Sequence, residues 1–148
     1  MGHKLHNALE PAGGKHNRYC GPAAIAAITG MTTGEAAAEA RAVTGKPSIR
    51  GMYSFDLLHV LLRNGFSSKG TESYRRGKGP TLKRWLADHY DGTALCVVRT
   101  TTHFWAMSNG EFVDTYFRMP SPLDKVHSPR ARVMDVFYLE PPAEEVAA

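Results

Sequence analysis

Hydrophobic and polar positions follow a helical rhythm in the first part of the chain and a strand rhythm in the last. The run PAAIAAIT, from Pro22 to Thr29, is apolar on every side and predicts a short, fully buried helix. Its alanines allow neighbouring elements to approach the backbone closely. MTTGEAAAEARAVTG predicts a second helix. Thr32 and Glu35 are spaced as a capping box, and Gly45 followed by Pro47 is a stop. SFDLLHVLLRNG predicts a third, with Ser54 as N-cap, Leu57, Leu58, Leu61 and Leu62 as a core stripe, and Asn64-Gly65 as its end. A basic, Gly-rich connection follows, KGTESYRRGKGP, with room for a short strand. TLKRWLADHY then predicts a shorter fourth helix carrying Leu82, Trp85 and Leu86 on one side.

Beyond this point ALCVVRT, HFWAMS, EFVDTYF and RVMDVFYLE are short segments rich in β-branched and aromatic residues, separated by turn signals. Asn109-Gly110 between two of them is a two-residue hairpin signal. Helices followed by antiparallel strands predict an α+β fold, with the alanine-rich helix packed on a C-terminal antiparallel sheet. Residues 1–16, polar and rich in Gly and His, are expected to be irregular. RMPSPLDKVHSPRA is expected to be a Pro-containing loop, and residues 141–148 a loose tail on a single domain spanning 1–148.

Composition narrows the function without choosing it. A chain of 148 residues, 43% hydrophobic and 22% charged, can build one real core and is neither disordered nor fibrous. A net charge of +4 favours anionic partners only weakly and makes no case for nucleic-acid binding. No apolar run approaches the roughly 20 residues that span a bilayer, and the N-terminus lacks the apolar region of a secretory signal. The expectation is a cytoplasmic protein with no membrane partner, in which Cys20 and Cys96 are free thiols. Cys96, inside ALCVV, is expected in the core. His3, His6, His16, His59, His89 and His127 are scattered without metal-ligand spacing, and no CxxC or HxxxH supports zinc at Cys20, His103 and Asp114. Neither a metal nor a cofactor is therefore expected.

Candidate chemistry comes from spacing. A hairpin turning at Asn109-Gly110 pairs Ser108 with Glu111, Trp105 with Asp114 and His103 with Tyr116. His103 and Asp114 then lie on one face as diagonal neighbours, within reach of each other. Cys20 stands where a loop becomes a helix, and the positive end of the helix favours thiolate. A cysteine, a histidine and a carboxylate that fixes the imidazole are the parts of an activated nucleophile for acyl transfer. The backbone N–H of Cys20, at the open helix end, can form half of an oxyanion hole.

This order of Cys, His and Asp resembles the papain-like cysteine peptidase superfamily. YCGPAAIAAITG resembles the Cys-Gly-Pro-Ala opening of bacteriocin-processing (C39-like) peptidase domains. The similarity continues through RGMYSFDLLHVLLRNGF to ALCVVRTTTHFWAMSNGEFVDT, covering roughly Asn17 to Tyr116. The resemblance implies a papain-like fold and amide-bond cleavage in a peptide or protein substrate. It makes Cys20 the nucleophile, His103 the general base and Asp114 its orienter. Tyr19, Phe104 and Trp105 are expected to wall the substrate cleft.

One departure is visible. The superfamily usually carries a Gln about six residues before the cysteine as second oxyanion donor, and Gly14 stands there in this chain. Asn17, favoured over His16, is expected to substitute from the same loop, and a missing donor would remove roughly 2.7–4 kcal/mol of transition-state stabilisation. Two other readings stay open: an inactive papain-like scaffold used as a structural or inhibitory binding module, and an amidase for a cell-wall peptide or isopeptide.

Overall fold

The alanine-rich run forms a helix with almost no exposed face. In the computed structural model, which describes residues 3–8, 19–49, 52–101 and 103–143, α1 spans Cys20–Thr29 and is buried from Gly21 to Ile28. It ends at Gly30, whose φ of 85° is open to glycine at no steric cost. Around it pack α2 (Thr33–Thr44) and α3 (Ser54–Arg63), with Ala36, Ala37 and Ala40 of α2 and Leu57, Val60 and Leu61 of α3 buried.

The second helix starts and stops as its sequence predicts. Thr32 accepts from the Glu35 N–H at 3.1 Å, Glu35 accepts from the Thr32 N–H at 3.0 Å, and Gly45 takes the left-handed C-terminal position. The third differs from expectation. Tyr53 is its N-cap, and Ser54 is the first helical residue. Ser54 Oγ instead donates to Asp135 Oδ2 at 2.9 Å and accepts from Arg99 Nη1 at 2.9 Å. A part-buried carboxylate on the neighbouring sheet out-competes a backbone N–H for that hydroxyl. The leucine stripe is also narrower than expected: Leu58 is only partly buried and Leu62 is exposed, while Val60 joins the core.

The strands are β1 (Ser67–Ser73), β2 (Cys96–Thr100), β3 (Phe104–Ser108), β4 (Glu111–Val113), β5 (Ser121–Pro122) and β6 (Val133–Glu140), with α4 (Leu82–Asp88) between the first two. They form one antiparallel sheet in the order β1-β6-β2-β3-β4-β5. The Gly-rich connection holds a full edge strand, β1, whose exposed, polar side chains suit an edge. Two cores sandwich the sheet. Val97, Phe104, Ala106 and Val113 meet the α1–α3 layer, whereas Cys96, Val98, Trp105, Met107 and Phe112 meet Leu82 and Trp85 of α4. Cover on both faces explains why ALCVV and HFWAM read as continuous apolar runs.

Residues 3–8 form no helix or strand, yet they are tied down. The His6 N–H donates to Ala27 O at 2.8 Å, the Ala8 N–H donates to Arg118 O at 2.7 Å, and Leu5 and Ala8 are buried. Of the expected C-terminal tail, 141–143 are described and 144–148 lie outside the described residues. Among the described residues, no helix is long and apolar enough to cross a membrane.

Candidate active site

His103 precedes β3 at the end of the tight connection from β2. The Thr100 N–H donates to the His103 carbonyl at 2.9 Å, which fixes the backbone from which the imidazole projects. Across the hairpin the ladder runs Ser108–Glu111, Met107–Phe112 and Ala106–Val113. That is the register Asn109-Gly110 predicts, but it stops one pair short of Trp105–Asp114. The carboxylate itself causes the stop. Asp114 Oδ1 accepts the N–H groups of Tyr116 at 3.1 Å and Phe117 at 2.7 Å, and the Asp114 N–H donates to Phe117 O at 2.9 Å. The chain therefore turns back on an Asp-centred turn instead of continuing the strand.

This turn aims Oδ2 at the histidine. His103 Nε2 lies 2.8 Å from Asp114 Oδ2, with the His103 side chain 14% exposed and that of Asp114 fully buried. A carboxylate only accepts, so His103 Nε2 carries the proton and Nδ1 is the nitrogen left for another partner. Cys20 acts on the same ring, through hydrogen bonding and charge. It is the first helical residue of α1, part-exposed, with Tyr19 as an N-cap that makes no side-chain bond and with no acidic residue in the first turn. Pro22 has no N–H and the Ala23 N–H donates to Tyr19 O, so the first turn of α1 carries the N–H groups of Cys20 and Gly21 ahead of its first intrahelical donor. Gly21 sits under Met52, where a Cβ would come within 2.7 Å of Sδ.

Electrostatics tie the pair together. Burial alone would push His103 down. Hydrogen bonds to Asp114 and Cys20, with the charges of both, raise it instead to about 9. Burial alone would push Asp114 up. Bonds from His103, the Phe117 N–H and His127, with the His103 charge, hold it below the ordinary carboxylate value. The other thiol lies elsewhere: Cys96 is fully buried in the α4-side core, and desolvation pushes it well above the usual thiol range.

The expected cleft walls need correction. Trp105 is fully buried and Phe104 nearly so. Trp105 backs His103, its ring edge-on to the imidazole at 4.7 Å, and Phe104 belongs to the helix-side core. Inward-facing strand positions cannot also face a substrate. The exposed apolar surface next to His103 is Tyr116, 75% exposed with its ring 5.9 Å from the imidazole, followed by Met119 in a groove also lined by Thr115, Phe117, Arg118 and Ser121. Tyr19 is half-buried against α1's core. Asn17 lies outside the described residues.

Sequence reasoning missed His127. It follows the 3₁₀ turn Leu123–Lys125 in the Pro-containing loop, and its Nε2 lies 2.5 Å from the same Asp114 Oδ2. No periodicity links a loop residue to a hairpin, so no local signal pointed to it. His103, Asp114 and His127 bring three ligand-type atoms within 4.8 Å of one another. A metal with bonds of about 2.0–2.2 Å would hold its ligands about 3.3 Å apart, so both Nε2–Oδ2 distances are too short for ligands of one ion. As folded, this is a hydrogen-bonded cluster.

No family model and no curated protein matches the sequence. Among solved structures, the chain is similar to the crystal structure of a double glycine motif protease from an AMS/PCAT transporter, in complex with the leader peptide. The TM-score is 0.58 at 14% identity, over 95% of this chain and 94% of that one. The likeness establishes the fold: among the described residues, four helices and a six-stranded antiparallel sheet in the arrangement of that protease.

Proposed function

We propose that this chain is a cysteine peptidase or amidase that cleaves an amide bond in a peptide or protein substrate, with Cys20 as nucleophile, His103 as general base and Asp114 as its orienter. The observation that carries the reading is that His103 Nε2–H is given to a buried carboxylate, while Cys20, at the start of α1, acts on the same imidazole. The peptidase fold of the structural neighbour, and the peptide bound to it, support the substrate class.

In this reading His103 Nδ1 takes the Cys20 proton, and sulfur attacks the carbonyl carbon. The C–O π electrons move to oxygen, where the Cys20 N–H donates to the oxyanion. Collapse of the tetrahedral adduct breaks the C–N bond as His103 returns the proton to the departing amine. Water, deprotonated by the same imidazole, then adds to the thioester, and the acid product leaves as Cys20 regains its proton. Asp114 stays ionised throughout, holding the Nε2 tautomer and stabilising the imidazolium. Asn17 is the proposed second oxyanion donor, and Tyr116 and Met119 join Tyr19 as the apolar surface that receives the substrate.

Alkylation by an iodoacetamide-type probe tests the nucleophile. Cys20 should react at neutral pH faster than free cysteine and lose that advantage in His103→Gln. A Cys20 that reacts no faster than free cysteine, in a protein that hydrolyses neither peptide nor amide substrates, would sink the reading and leave the inactive scaffold in its place.

A further inference from the structure

Asp114 is held by more donors than a simple triad requires. Oδ1 takes two backbone N–H groups, and Oδ2 takes both His103 Nε2 at 2.8 Å and His127 Nε2 at 2.5 Å. The His127 ring is caged by aromatic neighbours. Its centroid lies 4.5 Å from that of Trp105, 4.6 Å from Tyr116 and 6.1 Å from Phe117, the last in a stacked arrangement. Its Nδ1 lies 3.1 Å from Ser128 Oγ. Among the described residues, the titratable groups facing this pair are Cys20 and Asp114 against His103, Asp114 against His127, and Tyr116 against both rings.

We infer that His127 is a positioning residue for the Cys20–His103–Asp114 site: it binds Oδ2 of the Asp114 carboxylate and so shares that oxygen with the base. The inference rests on the reading of His103 as that base. A carboxylate oxygen that accepts two hydrogen bonds offers less charge to each donor. His127 therefore moderates how strongly Oδ2 stabilises the His103 imidazolium, whose Nδ1 proton must be released to the leaving amine on every turnover. The backbone donors on Oδ1 keep Asp114 in place when His127 is altered, so loss of the second imidazole acts mainly on proton affinity.

Two substitutions separate this role from packing. His127→Phe keeps a ring in the aromatic cage and removes the donor, whereas His127→Gln keeps an N–H donor at similar reach. The His103 titration is read by ¹⁵N imidazole NMR, which needs no substrate, and kcat/KM for a peptide substrate is followed against pH. In His127→Phe the His103 titration should rise by about 0.5–1 unit, less than the 1–3 units of a directly opposed charge. The alkaline limb of kcat/KM should rise with it, and kcat should fall about tenfold, the lower end of what an orienting partner contributes. His127→Gln should restore the titration and bring kcat to within about twofold of wild type. If His127→Phe does not fold, His127→Asn, too short to reach Oδ2, takes its place.

A folded donor-free variant with an unmoved His103 titration overturns the inference, as does a Gln variant that behaves like Phe. The two readings fail separately. Wild-type hydrolysis without the NMR shift removes only the role of His127, whereas the shift without wild-type hydrolysis keeps the coupling and removes the peptidase reading.

Discussion

Two helices packed side by side begin in opposite ways. At the start of α2, Thr32 and Glu35 satisfy each other's backbone N–H groups, and the Glu35 carboxylate sits at the positive helix end. At the start of α1, Tyr19 makes no side-chain cap, the first turn carries no acidic residue, and Pro22 removes one donor altogether. A capped start is worth about 0.5–2 kcal/mol, which α1 forgoes. The helix that omits its cap is the one that opens with Cys20 and faces His103. In the proposed chemistry, the N–H groups at the start of α1 are the ones that meet the oxyanion.

The largest effect that would break this contrast comes from sulfur itself. Cys20→Ala should lower peptide hydrolysis by at least ~10³-fold, while its melt, followed by circular dichroism, stays close to wild type because the side chain is small and part-exposed. A folded variant that keeps its activity would make the open end of α1 irrelevant. Next comes pH. His103 titrates near 9 in the folded protein, against about 6.5 when unfolded. A raised value means stabilisation that is complete below 6.5 and lost as pH rises through 9. The buried carboxylate works oppositely: Asp114 is lowered, so its contribution is present above the ordinary carboxylate value and fades as pH falls through its folded one. Urea unfolding at pH 6 and 9.5 should therefore show wild type losing on the order of 2–3 kcal/mol more than His103→Gln, whose own loss reflects the buried Cys96 thiol that ionises only on unfolding.

Much of this was legible because it is local. The capping box of α2, the stop at Gly45 and the Asn109-Gly110 turn each depend on residues within a few positions, and hairpin pairing carried His103 to Asp114 across eleven. What escaped was decided by packing between distant segments. Ser54 has the makings of an N-cap, but Asp135, 81 residues later, claims its hydroxyl. Trp105 and Phe104 look like cleft walls beside a histidine, yet β3 lies between two cores and both rings turn inward. His127 reaches Asp114 only because a 3₁₀ turn and a left-handed Ser128, with φ 57°, bend the Pro-containing loop back over the hairpin. No periodic signal encodes such a path.

Smaller perturbations sharpen the comparison at each helix start separately. Tyr19→Asp installs the missing cap on α1. With proline at the third helical position, only the Gly21 N–H remains for the new carboxylate to bind, so the gain is at the low end, about 0.5 kcal/mol. A negative charge beside the reacting sulfur should slow Cys20 alkylation about tenfold. Tyr19→Asn caps without the charge, so it should share the gain and alkylate at close to the wild-type rate. Equal slowing in both variants would show that the Tyr19 ring matters, not the open, unneutralised helix end.

The converse change on α2 has the smallest effect and completes the comparison. Thr32→Ala removes the acceptor for the Glu35 N–H and leaves only half of the box, the Glu35 carboxylate on the backbone N–H of residue 32. The expected loss is about 1 kcal/mol, or a fall in Tm of about 2–4 °C, read by thermal melting. Because that cap serves only the backbone of α2, the alkylation rate of Cys20 should stay at the wild-type value. A lower rate would mean that α2's start helps to hold α1 in position, and the two helix ends would then be one coupled feature. An unchanged rate, set beside the slowing by Tyr19→Asp, would divide the two ends cleanly, one kept for stability and the other for chemistry.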